Sequence, residues 1–171
     1  MRKVSDTYRL ATWKDAETLL DLITRAYESI RALDIAFTAT EADLGMIQDN
    51  LTQHTCYVLE QNGSLVATIS LKTLEEVTEY PFLYWFAVDP ARANRGIGSK
   101  LLRYVEETVV RDTLQVPAVT LATSRKHPWL LAMYERRGYV PFYERELGHD
   151  DTLVFLKKQL VGTGFTIREA E

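Results

Sequence analysis

The sequence predicts an α/β (α+β) fold, a sheet carrying helices on both faces. Three observations lead there. Residues 55–60 and 65–71 are strand-like runs joined by Asn62-Gly63, a pair that tolerates positive φ at both positions and so marks a tight hairpin. Residues 81–88 and 116–122 are two apolar runs with an amphipathic helical pattern between them, which makes a β–α–β unit. Near the N-terminus, apolar positions recur at helical rather than strand spacing.

Taken in order, residues 7–11 read as a short first strand. Thr12-Trp13-Lys14-Asp15 has the form of a capping box, so a helix starts beside it. Ala16, Leu19, Leu20, Ile23, Tyr27 and Ile30 then recur at helical spacing and would bury one face. Thr40-Glu41-Ala42-Asp43 is a second capping signal, ahead of Leu44, Ile47 and Leu51. After the hairpin, a polar connection through Glu75, Glu76 and Glu79 leads to the run 81–88, which is too apolar to have one face in water. Ile97, Leu101, Leu102, Val105, Val109 and Val110 mark a helix lying on the sheet. Residues 116–122 form another buried strand, and 129–137 a helix that stops at Gly138, a C-cap. Strands over 139–143 and 152–156 are joined by residues 144–151. Residues 1–160 are expected to form one domain. Residues 161–171 form a tail, either loosely held or added as a strand through 165–167.

With 171 residues the chain can bury a substantial core. Its 46% hydrophobic and 26% charged residues are ordinary for a soluble globular protein. A net charge of -4 argues against a nucleic-acid partner, which would call for a basic stripe. No apolar run approaches the roughly 18 residues needed to cross a bilayer, so no membrane partner is expected. Met1-Arg2-Lys3-Val4-Ser5-Asp6 lacks a signal-peptide pattern, and a single cysteine, Cys56, excludes an intramolecular disulfide. A cytoplasmic location fits these features. His54 and His127 lack a partner His or Cys at metal-ligand spacing, so no metal is expected.

The segment after the run 81–88 holds the most specific signal. The strand stops at Val88-Asp89-Pro90, the turn Arg92-Ala93-Asn94-Arg95-Gly96-Ile97-Gly98 follows, and a helical pattern begins at once. That order sets a helix N-terminus at a strand end. Its free N–H groups and dipole together favour anions, phosphates above all. Gly96 and Gly98 lack Cβ, so a bulky group can sit against the backbone and unusual dihedrals are allowed. The spacing is not that of a Walker loop, nor of a three-glycine dinucleotide fingerprint, whose third position would be Leu101. On this fragment alone, a plain strand-to-helix turn reads the same way.

The surrounding residues add to it. Val88-Asp89-Pro90, the turn through Gly98, and then Leu101-Leu102 resemble the acetyl-CoA loop of the GNAT superfamily of N-acetyltransferases. That loop runs Val-x-Pro, a few residues, [Gln/Arg]-x-x-Gly-x-[Gly/Ala], then a helix. Gly96 and Gly98 fit. Ala93 stands where Gln or Arg is usual, with Arg92 beside it; this removes one side chain but no backbone donor. A second segment, from His127 through Tyr134 to Gly138-Tyr139, resembles the family's later helix and strand, with His127 in place of the frequent Asn. The strand candidate 116–122 separates the two motifs, and the resemblance covers about residues 7–160.

The resemblance implies a central mixed, mostly antiparallel sheet with a splayed strand pair. It also implies acetyl-CoA as co-substrate and N-acetylation of a primary amine, on a small molecule or a peptide. Backbone groups of Phe86, Ala87 and Val88 would meet the pantetheine arm and the thioester carbonyl. Arg92, Ala93, Asn94, Arg95, Gly96, Ile97, Gly98 and Ser99 would surround the pyrophosphate, and His127 and Tyr134 complete the set of cofactor contacts. Tyr134 is the candidate general acid for the departing thiolate. Glu79, acting through water, is the candidate base, with Glu75 and Glu76 as alternatives. Tyr84 and Phe37 are candidate acceptor contacts. Acetyl transfer to an amine can proceed by direct attack when both substrates are bound together. That suits a chain with one Cys in a strand and no recognisable Ser-His-Asp pattern. The rival reading is an acyl-CoA-binding regulatory module without turnover. Family grounds also leave open a homodimer through the tail or the last strands.

Overall fold

A computed structural model describes residues 5–33, 38–93, 95–127, 129–148 and 150–161. Seven strands form one sheet in the order β1-β2-β3-β4-β5-β7-β6. They are β1 Asp6–Leu10, β2 Thr55–Gln61, β3 Ser64–Lys72, β4 Phe82–Val88, β5 Ala118–Ser124, β6 Val140–Gly148 and β7 Asp151–Gln159. Neighbours are antiparallel except β4 and β5, which are parallel. Asn62 (φ 53°) and Gly63 (φ 83°) make the β2–β3 turn in the left-handed region that their short side chains permit.

Helices cover both faces. On one lie α1 (Ala16–Ala26) and α3 (Leu44–Gln53), which pack Leu19, Ile23 and Ile47 against Val58 and Ala87. On the other lie α4 (Ile97–Tyr104) and α5 (Leu130–Arg136), with Leu101, Leu102 and Tyr134 against Leu83, Leu121 and Val154. The capping box forms: the Thr12 N–H donates to Asp15 Oδ2 at 2.7 Å and opens a 3-10 turn that feeds α1.

Four elements differ from the sequence reading. The periodic run 16–30 is not one helix. It breaks at Tyr27 (φ -94°, ψ 5°), whose hydroxyl donates to the Phe86 carbonyl at 2.8 Å, and a short α2 (Glu28–Arg31) follows. Asp43 alone caps α3, accepting from the Met46 N–H at 2.9 Å, while Thr40 belongs to a separate 3-10 turn, Thr38–Glu41. The helix after Gly96 widens to a π-helical stretch, Val105–Thr113, in which the Leu114 N–H reaches the Val109 carbonyl, five residues back, at 2.8 Å. Residues 144–148 are strand rather than connection. β6 is the sheet edge and its side chains are almost all exposed, so Glu144, Arg145 and Glu146 suit a strand that must not pair further. The expected tail strand falls on residues 162–171, outside the described residues.

The parallel pair is the feature that makes a site. β4 and β5 pair at Phe82 and Thr120 alone, where Thr120 donates its N–H and its hydroxyl to the Pro81 carbonyl, both at 2.9 Å. Beyond that point the strands part. In β4, Trp85 (φ 52°) makes a bulge: Tyr84 faces Ser70 and Ala87 faces Thr68, so two β4 residues stand opposite one of β3.

Candidate active site

A cavity of about 710 Å³ fills the split between β4 and β5. One wall is β4 from Phe82 to Val88, whose backbone groups on the β5 side have no strand partner past Phe82. Leu121, Ala122 and Thr123 of β5 form the other wall.

At one end lies the turn into α4. Asp89 accepts from the Ala91 N–H at 3.0 Å, which sets Pro90 at the start of a 3-10 turn. Gly96 then takes φ 72° as the N-cap of α4, a left-handed value that costs an L-residue about 1–2 kcal/mol. Space is not the constraint there, because a Cβ on Gly96 would meet nothing within 4 Å. Gly98 is the reverse case: a Cβ would sit 3.1 Å from Val88 Cγ2 and 3.2 Å from Phe86 Cζ, so glycine lets α4 close on β4. The outcome is a helix start that lines the cavity, and the orphan N–H groups of such a first turn favour anions.

Arg92, Ala93, Gly96, Gly98 and Ser99 line this end, as does Ile97, which is also part of the core. The Arg92 Nε lies 3.7 Å from Asp89. Arg137, at the end of α5, donates to the Ser99 hydroxyl and also lines the cavity. Arg95 is exposed and off the cavity wall, and Asn94 lies outside the described residues. Lys100 turns away, with its Nζ 2.9 Å from Asp6.

α5 brings the second motif to the same cavity. Tyr134 is 6% exposed, with its ring edge-on to Tyr139 at 5.7 Å. Its hydroxyl has no hydrogen-bond partner among the described residues. Burial holds the phenol above its ordinary pKa, against an opposing pull from Arg137, so it stays protonated at neutral pH. His127 is buried, and its Nδ1 faces the Leu130 N–H at 3.3 Å, capping α5. Burial lowers its pKa, which keeps the imidazole neutral and able to accept.

The far end of the cavity is aromatic. Tyr84 offers its ring rather than its hydroxyl, which is tied to Asn50 Oδ1. Glu79 is exposed in the connection before β4 and does not line the cavity, and Phe37 lies outside the described residues. Asp89 is the one carboxylate among the described lining residues, and Arg25 holds it at 2.8 Å. No group of three or more potential metal ligands occurs among the described residues, and no helix there is long and apolar enough to cross a membrane.

The sequence reading missed several lining residues. Tyr27 looked like one more apolar position on a helix. Arg137 stood inside the second motif, unremarked. Thr123 is 1% exposed, and its hydroxyl is the buried side-chain oxygen with no partner among the described residues. Lys72 reaches the cavity from β3 and nothing local in the sequence marks it, whereas Arg145 lies in the segment 143–151 that the sequence offers as facing the acceptor.

Comparison with known proteins agrees with the fold. Residues 16–139 match the acetyltransferase (GNAT) family. The chain is 50% identical over 157 residues to S-(2-succino)cysteine N-acetyltransferase of Bacillus subtilis (strain 168), covering 90% of this chain and 95% of that one. It is 48% identical over 150 residues to S-alkylcysteine N-acetyltransferase of the same organism, covering 85% and 84%. Among solved structures, ribosomal-protein-S18-alanine N-acetyltransferase from Escherichia coli superposes with a TM-score of 0.72 at 18% identity, over 95% of this chain and 99% of that one. PaiA N-acetyltransferase from Thermoplasma acidophilum, solved in complex with coenzyme A, superposes with a TM-score of 0.71 at 15% identity, over 91% and 99%. At these identities the structural matches speak for the fold.

Proposed function

The chain belongs to the GNAT acetyltransferase family and is an acyltransferase of that class, and we propose that it transfers the acetyl group of acetyl-CoA to the α-amine of an S-substituted cysteine. Direct attack with both substrates bound is the proposed course. The observation that supports it best is the single cavity joining the α4 N-terminus, the margin of β4 that parts from β5 and the Tyr134 hydroxyl.

The donor supplies the acetyl thioester. The first-turn N–H groups of α4, with Arg92 and Arg137 nearby, hold its pyrophosphate. Backbone groups along the β4 margin pair with its pantetheine arm and set the carbonyl where N–H donors stabilise developing negative charge. The neutral acceptor nitrogen bonds to the carbonyl carbon, the carbon–sulfur bond breaks as Tyr134 gives its proton to the leaving sulfur, and the proton that the new amide nitrogen sheds restores the Tyr134 phenol through water.

The acceptor ammonium must first lose a proton. With Asp89 engaged and Glu79 off the cavity wall, that proton goes to water rather than to a carboxylate in the cavity. An α-amine suits such a site, because it ionises below a lysine-type amine, at about 8 against about 10.4 in peptides.

Calorimetric titration with acetyl-CoA, followed by a thiol-release assay over S-substituted cysteines, peptides and simple amines, tests this reading. Binding with release for the cysteine derivatives is the expected result. Binding without release for any amine would favour the regulatory module. No binding would refute the assignment of the α4 turn.

A further inference from the structure

We infer that Lys72 and Arg145 recognise the acceptor, one at each end, and that they select cysteine derivatives whose S-substituent carries a second carboxylate. The inference rests on the proposed transfer to an S-substituted cysteine and goes on to say which kind.

Helices α1 and α3 cover one half of their sheet face. Over the other half, β3, β4, β7 and β6 present an aromatic row to the cavity. The Tyr84 and Phe82 rings stack at 6.3 Å, and Phe82 meets Phe155 at 5.8 Å. A cation sits over each end of this row: Lys72 Nζ is 4.5 Å from the Tyr84 ring centroid, and the Arg145 guanidinium carbon is 5.1 Å from that of Phe155. Strand register fixes both, with Lys72 opposite Phe82 and Arg145 opposite Leu153.

Neither cation has a carboxylate partner among the described residues. Arg25, the cation nearest the one described carboxylate of the cavity, is by contrast paired with it. Two unneutralised cations in a cavity whose one described carboxylate is engaged make a strong field for anions. One cation would serve an ordinary amino acid. Two, with an apolar row between them, match a molecule acidic at both ends and apolar in the middle. An α-carboxylate, a thioether and a carboxylate on the S-substituent have that form, and the thioether sulfur gains from lying against aromatic rings. The same cations disfavour the acceptor's ammonium form and so help it lose its proton without a dedicated base.

The test compares S-(2-succino)cysteine with S-ethylcysteine, at saturating acetyl-CoA, in the full chain and its K72M and R145M variants. Both residues sit at the cavity rim, so the variants should fold, and an unchanged KM for acetyl-CoA verifies this. The unmodified chain should favour the succinyl acceptor by about tenfold or more in kcat/KM. Each substitution should raise the KM for that acceptor by about tenfold. One of the two should leave S-ethylcysteine unaffected, which identifies the cation that meets the S-substituent. A preference for S-ethylcysteine, or a succinyl preference that survives both substitutions, overturns the inference. If neither acceptor is turned over, the transfer reading fails by itself. Calorimetric binding of S-(2-succino)cysteine to the CoA-loaded protein then decides: binding weakened about tenfold by either variant upholds the cation pair, and absent or unchanged binding overturns it.

Discussion

Replacing Thr123 by valine should make the ligand-free protein more stable, although the residue lies in the wall of the active site. Thr123 is 1% exposed, and its Oγ1 has no hydrogen-bond partner among the described residues. An unpartnered buried hydroxyl costs about 1–3 kcal/mol. Valine keeps the branched shape and the β-propensity of β5, and exchanges the hydroxyl for a methyl that needs no partner. Because the residue borders a cavity rather than the deepest core, the low end of that range applies, ~1 kcal/mol. In a domain of this size ~1 kcal/mol moves the melting midpoint by about 2–4 °C. The assay is thermal unfolding of the ligand-free protein followed by circular dichroism, repeated with acetyl-CoA. The midpoint should rise without ligand, and the further rise on adding acetyl-CoA should be smaller than in the unmodified chain, because the hydroxyl's partner arrives with the ligand. A fall of about 2 °C or more in the ligand-free variant would refute the reasoning, since it would mean that the hydroxyl is already satisfied in the fold.

Tyr134→Phe should lower turnover by about a hundredfold while the calorimetric affinity for acetyl-CoA stays the same; equal turnover would remove Tyr134 as the acid. Lys158→Met should cost about 3 kcal/mol in urea unfolding, because Glu106, which is 3% exposed, would keep the Tyr139 hydroxyl at 2.6 Å but lose the ammonium at 3.0 Å. Arg9 holds the Asp15 carboxyl below its usual range through contacts of 2.8 and 2.9 Å. A depressed carboxyl pKa adds stability that is present above the unfolded value, about 3.9, and is lost as the pH falls through the folded value. Arg9→Met should therefore be less stable at neutral pH and lose less on acidification below about pH 4; parallel acid-unfolding curves would count against it.

The parts that could be read from the sequence are those whose cause is local. Gly96 and Gly98 mark the turn because a left-handed φ and a close helix–strand approach are constraints on single residues. Asn62-Gly63 fixed a hairpin for the same reason. The parting of β4 from β5 has no local signature, since Phe82 and Leu83 look alike although one pairs with β5 and the other does not. The break at Tyr27 was invisible because Ile30 continues the helical period; what ends the helix is a hydroxyl reaching a carbonyl on β4. Charged residues such as Glu144, Arg145 and Glu146 read as a loop, yet on an edge strand the backbone alone makes the ladder. Lys72 and Arg145 reach one cavity only through the order of five strands, β3-β4-β5-β7-β6, which no motif encodes.

An opened sheet has two edges where a closed one has none. Past Phe82 the inner margins of β4 and β5 are not paired with each other, and such a margin is one that another chain's strand could join. In the binding mode proposed above, a pantetheine arm would cover the β4 margin and shut out that competitor. Occupancy at a hundred times the dissociation constant also adds about 2.7 kcal/mol to the folded state. Acetyl-CoA would on this view be a solubility factor as well as the proposed acetyl donor. Protein stripped of it during purification should cloud sooner on concentration and warming than the same protein kept loaded, with no change in covalent structure.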